Sequence, residues 1–334
     1  MSYLSVKLLL SVLSPLLLVA FSDLDRPAFA NDPSGKSIAV AKRTLHFPKG
    51  KSLGMIHVGN ITGAFGGWAN NVTVAGAVGD VTVSVPRGQR VVFEANHRVF
   101  ENPACLEQIS PAGIDGLKLG LISLADREDD MCDAALAHIG HFQGLTELNV
   151  DRSEATDKGV ANLSKVPSLV VISCFLSSIN GQCFKELSTL PALRVLLSSY
   201  CQIKPENLKY LAQFPKLEKL NLDYTHLDAA GVKHLGNCKF LKNLSVRGNV
   251  RINDSCMVYL QSIKSLQALD LRGTSVSIAG LRLLKGMNIK FLCLPSSMKE
   301  NLGEIKRTFP KIIIALDTDG QVDSHNKMLY APLH

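Results

Sequence analysis

Leu217-Glu218-Lys219-Leu220-Asn221-Leu222-Asp223-Tyr224-Thr225 is the phrase from which the fold is read. Aliphatic residues hold its first, fourth and sixth positions, and a small polar residue holds the ninth. The frame returns as Leu145/Leu148/Val150, Leu169/Ile172/Cys174, Leu193/Leu196/Ser198, Leu241/Leu244/Val246, Leu266/Leu269/Leu271 and Ile289/Leu292/Leu294. Successive starts lie 24, 24, 24, 24, 25 and 23 residues apart, and a weaker copy opens at Ile312. Self-similarity at such a period marks a solenoid, in which each unit buries its faces against its neighbours because one alone cannot offset the ordering of its own backbone.

The ninth positions read Ser153, Ser177, Cys201, Thr225, Asn249, Thr274 and Ser297. The chain must turn sharply after each strand, and a compact hydrogen-bonding side chain there satisfies backbone groups that the turn leaves unpaired. Helix starts follow at Thr156-Asp157, Lys204-Pro205-Glu206, Asp228, Asn253-Asp254 and Ser277, each before an apolar pair three apart. Asp, Asn, Ser or Thr can cap there, and proline fits a first turn. Val166-Pro167, Leu190-Pro191 and Phe214-Pro215 then stop the helix before the next strand.

This pattern resembles the cysteine-containing, ribonuclease-inhibitor-like subclass of leucine-rich repeats, found in exported bacterial proteins and in the substrate-binding domains of F-box proteins. The resemblance implies an α/β leucine-rich-repeat solenoid, with parallel strands on a concave face and helices on a convex face. It covers about six tenths of the chain and is specific for fold rather than for function.

Working outward, Lys7, an apolar run from Leu8 to Phe21 and Ala28-Phe29-Ala30 predict a signal peptide over residues 1–30, cleaved before Asn31. The run is too short for the roughly 20 residues of a spanning helix, so the expectation is an exported protein, periplasmic, envelope-bound or extracellular, with no membrane span after cleavage. Residues 31–110 differ in texture. Arg43–Phe47, Leu53–Val58, Asn71–Ala75, Val81–Val85 and Arg90–Phe93 predict strands of a small β-rich domain. Pro86-Arg87-Gly88 between the last two reads as a hairpin turn. The solenoid then occupies 111–317, opened by a degenerate copy at Ile114/Leu117/Leu119, and residues 318–334 read as a polar tail.

The formal charge of +7 comes from 36 basic and 29 acidic residues that are interspersed, which disfavours nucleic acid as a partner. No catalytic residue, metal site or cofactor is predicted. The Gly59–Gly79 stretch lacks the Lys-Ser/Thr of a phosphate loop, and His138 and His141 lack a companion ligand at zinc spacing. Asp317–Asp323 departs from a calcium loop in its glycine position and its missing Glu. The eight cysteines are spread over repeat positions, with Cys105 and Cys132 the pair to examine for a bridge. Sequons stand at Asn60, Asn71, Asn162, Asn243 and Asn253.

Function is expected on the concave face. Strand side chains alternate, so the third, fifth and seventh positions point away from the core. They place Val171, Phe175, Val195 and Leu197 in an apolar centre, and Asp151, Lys219, Asp223 and Arg247 in a polar rim. A rimmed apolar patch marks a contact surface, unless the β-rich domain folds back over it. The sequence thus predicts a non-enzymatic interaction module that binds another protein or a cell-envelope polymer. Two alternatives stay open: an envelope protein attached through the β-rich domain, and a substrate receptor as in ubiquitin-ligase adaptors, although no F-box-like segment precedes the repeats.

Overall fold

A computed structural model describes residues 40–59, 72–120 and 128–317. The expected signal peptide, the polar tail, sequons Asn60 and Asn71, and most of the calcium-like loop lie outside the described residues. The strands are β1 (Val40–His46), β2 (Gly54–Gly59), β3 (Val72–Gly76), β4 (Asp80–Pro86), β5 (Arg90–Ala95), β6 (Gly116–Lys118), β7 (Glu147–Asn149), β8 (Val171–Ser173), β9 (Val195–Leu197), β10 (Lys219–Asn221), β11 (Asn243–Ser245), β12 (Ala268–Asp270), β13 (Phe291–Leu294) and β14 (Ile313–Leu316).

Twelve of them form one sheet in the order β14 to β5, then β2 and β3, while β1 and β4 pair separately. From β5 to β14 every neighbouring pair is parallel. The fourth positions lie in one row across the sheet, Leu148, Ile172, Leu196, Leu220, Leu244, Leu269 and Leu292, and none is more than 2% exposed. The helical segments lie between successive strands in the chain, and their inward residues, such as Val160, Leu208, Val232, Met257 and Leu281, are buried in the same core. This is the leucine-rich-repeat architecture, with the sheet on one side and the helices on the other.

All five strands expected before residue 96 form, but the hairpin does not. Gly88 turns the chain with φ +84° and Gln89 N–H donates to the Pro86 carbonyl at 3.0 Å. Both edges of β5, however, are taken by β2 and β6, so β4 crosses over to β1. The degenerate copy is a true first repeat, because Leu117 registers with Leu148 on one side and Phe93 on the other. Strands on either side of residue 110 therefore share one sheet. At the far end Leu292 pairs with Ile314 and Leu294 with Leu316, so the closing copy opens at Lys311, one residue before the expected Ile312.

Six of the seven ninth positions bond to backbone as expected, while Ser297 is exposed. Ser153, Ser177, Thr225 and Thr274 hydroxyls each donate to the carbonyl three residues back, at 2.7, 2.9, 2.7 and 2.6 Å. Asn249 does more: its amide donates to the Leu222 and Val246 carbonyls, and its oxygen accepts from the N–H groups of Thr225 and Leu227. One side chain thus closes two turns of adjacent repeats.

A second ladder joins the helix starts. Asp133 accepts from the Thr156 N–H and hydroxyl, Asp157 from the Asn180 and Cys183 N–H groups, and Asp254 from the Ser277 N–H and hydroxyl. A Cβ at Gly159 would stand 2.0 Å from an Asp133 oxygen, and one at Gly280 2.2 Å from an Asp254 oxygen. Glycine is needed at both places because the carboxylate of the preceding repeat fills the space.

Candidate functional site: the inner strand face

The inner face is the side of the sheet turned away from the helices, and register sets its rows. Third positions run Glu147, Val171, Val195, Lys219, Asn243, Ala268, Phe291 and Ile313, and fifth positions run Asn149, Ser173, Leu197, Asn221, Ser245, Asp270, Cys293 and Ala315. Three-residue strands pair along their whole length, so side chains about 4.8 Å apart cover one another.

Two residues of the expected apolar centre, Val171 and Phe175, remain partly exposed. Val195 and Leu197 do not: they are 7% and 6% exposed, closed in by their register neighbours. They stand apart from the main core beneath the sheet.

The rim needs a larger correction. Lys219 and Arg247 are partly exposed, whereas Asp151 and Asp223 are 8% and 1% exposed and belong to the fold. Asp151 accepts from the Ser173 hydroxyl at 2.5 Å, the Phe175 N–H at 2.8 Å and the Asn149 amide at 2.7 Å. Asp223 accepts from the Ser245 hydroxyl at 2.5 Å and the Arg247 N–H at 2.8 Å, while its own N–H donates to Asn221. The same clasp, Asn-x-Asp gripping the serine of the next strand, therefore occurs twice, three repeats apart.

Burial pushes the carboxyls of Asp151 and Asp223 upward against these bonds, Asp223 to about 7 with Asp270 adding to the rise. Glu147 is raised to about 8 by burial, opposed by its ion pair with Arg90. Asp270, fully buried, takes a forked pair of bonds from Arg272. Arg247 reaches along the face to Asp317 at 3.3 Å.

The feature that alternation missed lies at the eighth position. From Arg152 to Gly248 each eighth-position N–H donates to the seventh-position carbonyl of the next repeat, as in Tyr200 to Asp223 and Tyr224 to Arg247, both at 2.8 Å. The ladder thus continues past the strand, and the backbone turns left-handed to allow it: Arg152 φ 54°, Leu176 54°, Tyr200 59°, Tyr224 54°, Gly248 71° and Gly273 65°. Glycine adopts this region freely, whereas a residue with a Cβ costs about 1 to 2 kcal/mol.

Two of these strained residues and one neighbour build an aromatic row. Phe175 meets Tyr200 edge to face at 5.4 Å, and Tyr200 stacks on Tyr224 at 4.5 Å with 21° between planes. The Arg152 guanidinium lies 5.8 Å over Phe175. Gly248 lies against the other end, where a Cβ would stand 2.2 Å from the Tyr224 ring. Phe175 and Tyr200 are half-buried and Tyr224 is 36% exposed. The tyrosines stand one period apart, as the sequence could have shown, but the eighth position falls outside the third, fifth and seventh.

A smaller apolar cluster of Ala268, Phe291, Cys293 and Ala315 covers the last strands of this face. At the other end Glu94 is held by His57 at 2.9 Å and Lys118 at 2.6 Å, which brings its carboxyl down to about 2. His138 pairs with Glu107 and His141 with the Ile109 carbonyl, so the two histidines are not brought together. No disulfide joins any of the eight cysteines, all of them buried. Among the described residues no helix is long and apolar enough to cross a membrane.

No family model matches the chain, and no curated relative does. Solved structures do, weakly. A yeast Rad7–Elc1 complex is 15% identical over 70% of this chain and 72% of its own, with a TM-score of 0.44. The plant peptide hormone receptor RGFR1 in complex with RGF2 is 18% identical over 55% and 31%, with a TM-score of 0.33. A TLR13–ssRNA13 complex is 15% identical over 69% and 36%, with a TM-score of 0.39. This chain thus spans about a third of the length of the last two. The fold itself stands on the strand register described above.

Proposed function

We propose that this chain is a non-enzymatic interaction module that takes a partner protein on its inner strand face, anchored by Phe175, Tyr200 and Tyr224 and flanked by Val171, Lys219 and Arg247. One observation carries the reading: a part-exposed aromatic stack is held on left-handed, non-glycine backbone at a position where two later repeats use glycine. Glycine would take this backbone without cost, tyrosine and arginine lead among the side chains that carry interface energy, and phenylalanine is enriched at interfaces. The reading includes export, motivated by Ala28-Phe29-Ala30 after a short apolar run; intact mass of the native protein should correspond to a start at Asn31.

Photo-crosslinking in an extract of the native host tests the site. A benzophenone side chain at position 224 should trap a partner, and one at Val258, 53% exposed on a helix, should not. Trapping from position 258 alone would move the interface to the helical side.

A further inference from the structure

The inner face carries more positive charge toward solvent than its composition suggests. Glu147, Asp151, Asp223 and Asp270 are all buried, and each carboxylate is taken up by Arg90, Ser173, Ser245 or Arg272. The cations are less enclosed: Arg152 is exposed, and Lys219 and Arg247 are partly so. Asp317, also part-exposed, is the carboxylate that meets Arg247.

The rings also limit what can bind. Tyr200 and Tyr224 cover one another and Gly248 lies against Tyr224, while Arg152 lies over Phe175. A nucleobase binds such platforms through an open ring face. This row offers mainly ring edges, hydroxyls and guanidinium N–H groups, which suit peptide side chains and carboxylates.

We propose that the partner segment is an acidic peptide lying along the aromatic row, its carboxylates meeting Arg152 at one end and Arg247 at the other. The two arginines follow strands four spacings apart, about 19 Å, which a segment of roughly six extended residues spans. Asp317 then occupies the place of one partner carboxylate and competes with it. This inference rests on the inner-face reading above and names the chemistry of its ligand.

Fluorescence anisotropy of the full chain at low salt tests it, using labelled peptides that alternate leucine with glutamate, glutamine or lysine, and a labelled oligodeoxythymidylate. The glutamate peptide should bind best, and Arg152→Gln with Arg247→Gln should weaken it about tenfold. Asp317→Asn should tighten the same peptide severalfold, a gain that misfolding does not produce. Preference for the lysine peptide or the oligonucleotide, or a glutamate peptide indifferent to all three substitutions, overturns the proposal. If crosslinking from position 224 still traps a partner in that event, the inner face remains the interface and only its acidic ligand is refuted.

Discussion

Asp223 accepts a 2.5 Å hydrogen bond from the hydroxyl of Ser245, one strand ahead and 22 residues on. The bond is buried and couples two repeats on the face that a partner is proposed to use. Ser245→Ala removes its donor and leaves the carboxylate short of one partner. The expected cost is about 1 to 3 kcal/mol, read as a lower urea midpoint. Ser173→Ala, at the equivalent bond to Asp151, should cost a similar amount; midpoints unchanged in both would show that the clasp is decorative.

Stability should fall from mildly acidic toward slightly basic pH. Folded Glu147 and Asp223, raised to about 8 and about 7, keep protons that the unfolded chain gives up near 4.5 and 3.8. Their contribution is full below those unfolded values and is lost as pH rises through the folded ones. Glu94, held down at about 2, works the other way: its contribution is present above 4.5 and disappears as pH falls toward 2. Urea midpoints should therefore peak near pH 4.5 and decline toward 8, with a shallower decline in Glu147→Gln. A midpoint that climbs steadily over this range contradicts the assignment.

Burial separates two residues that alternation treats alike. Leu197→Asp places a carboxylate in a closed site and should destabilise by about 3 kcal/mol or more. Phe175→Ser, at a part-exposed position, should cost clearly less in the same thermal unfolding series. Equal losses would mean that Phe175 belongs to the core.

Strand register, ninth-position bonds and helix caps were legible because each depends on residues a fixed distance apart. Alternation gave the direction of Asp151 and Asp223 but not their burial, since the groups that enclose them come from the next repeat. A trace was present all the same, in Asn149-x-Asp151 with Ser173 and Asn221-x-Asp223 with Ser245. Alternation does not reach Tyr200 and Tyr224, because the ladder runs one residue beyond the strand. The β4–β5 hairpin fails for a further reason: a local turn signal does not reveal that both edges of β5 are paired by other strands.

Strain at the eighth position predicts an exchange between stability and binding. Arg152 is exposed with φ 54°, so Arg152→Gly should stabilise by about 0.5 to 1 kcal/mol while removing the cation over Phe175. Calorimetry should show a higher Tm together with weaker partner binding. A variant both less stable and unaltered in binding would remove the argument from strain.

If the aromatic row anchors the partner, the affinity of the crosslinked partner for the full chain depends on its rings. Titration calorimetry should compare the native chain with Tyr200→Ala/Tyr224→Ala, both verified as folded by circular dichroism. Loss of two interface anchors at about 2 kcal/mol or more predicts that binding weakens by at least about a hundredfold. Native affinity in the folded double variant would mean that the aromatic row is not the anchor.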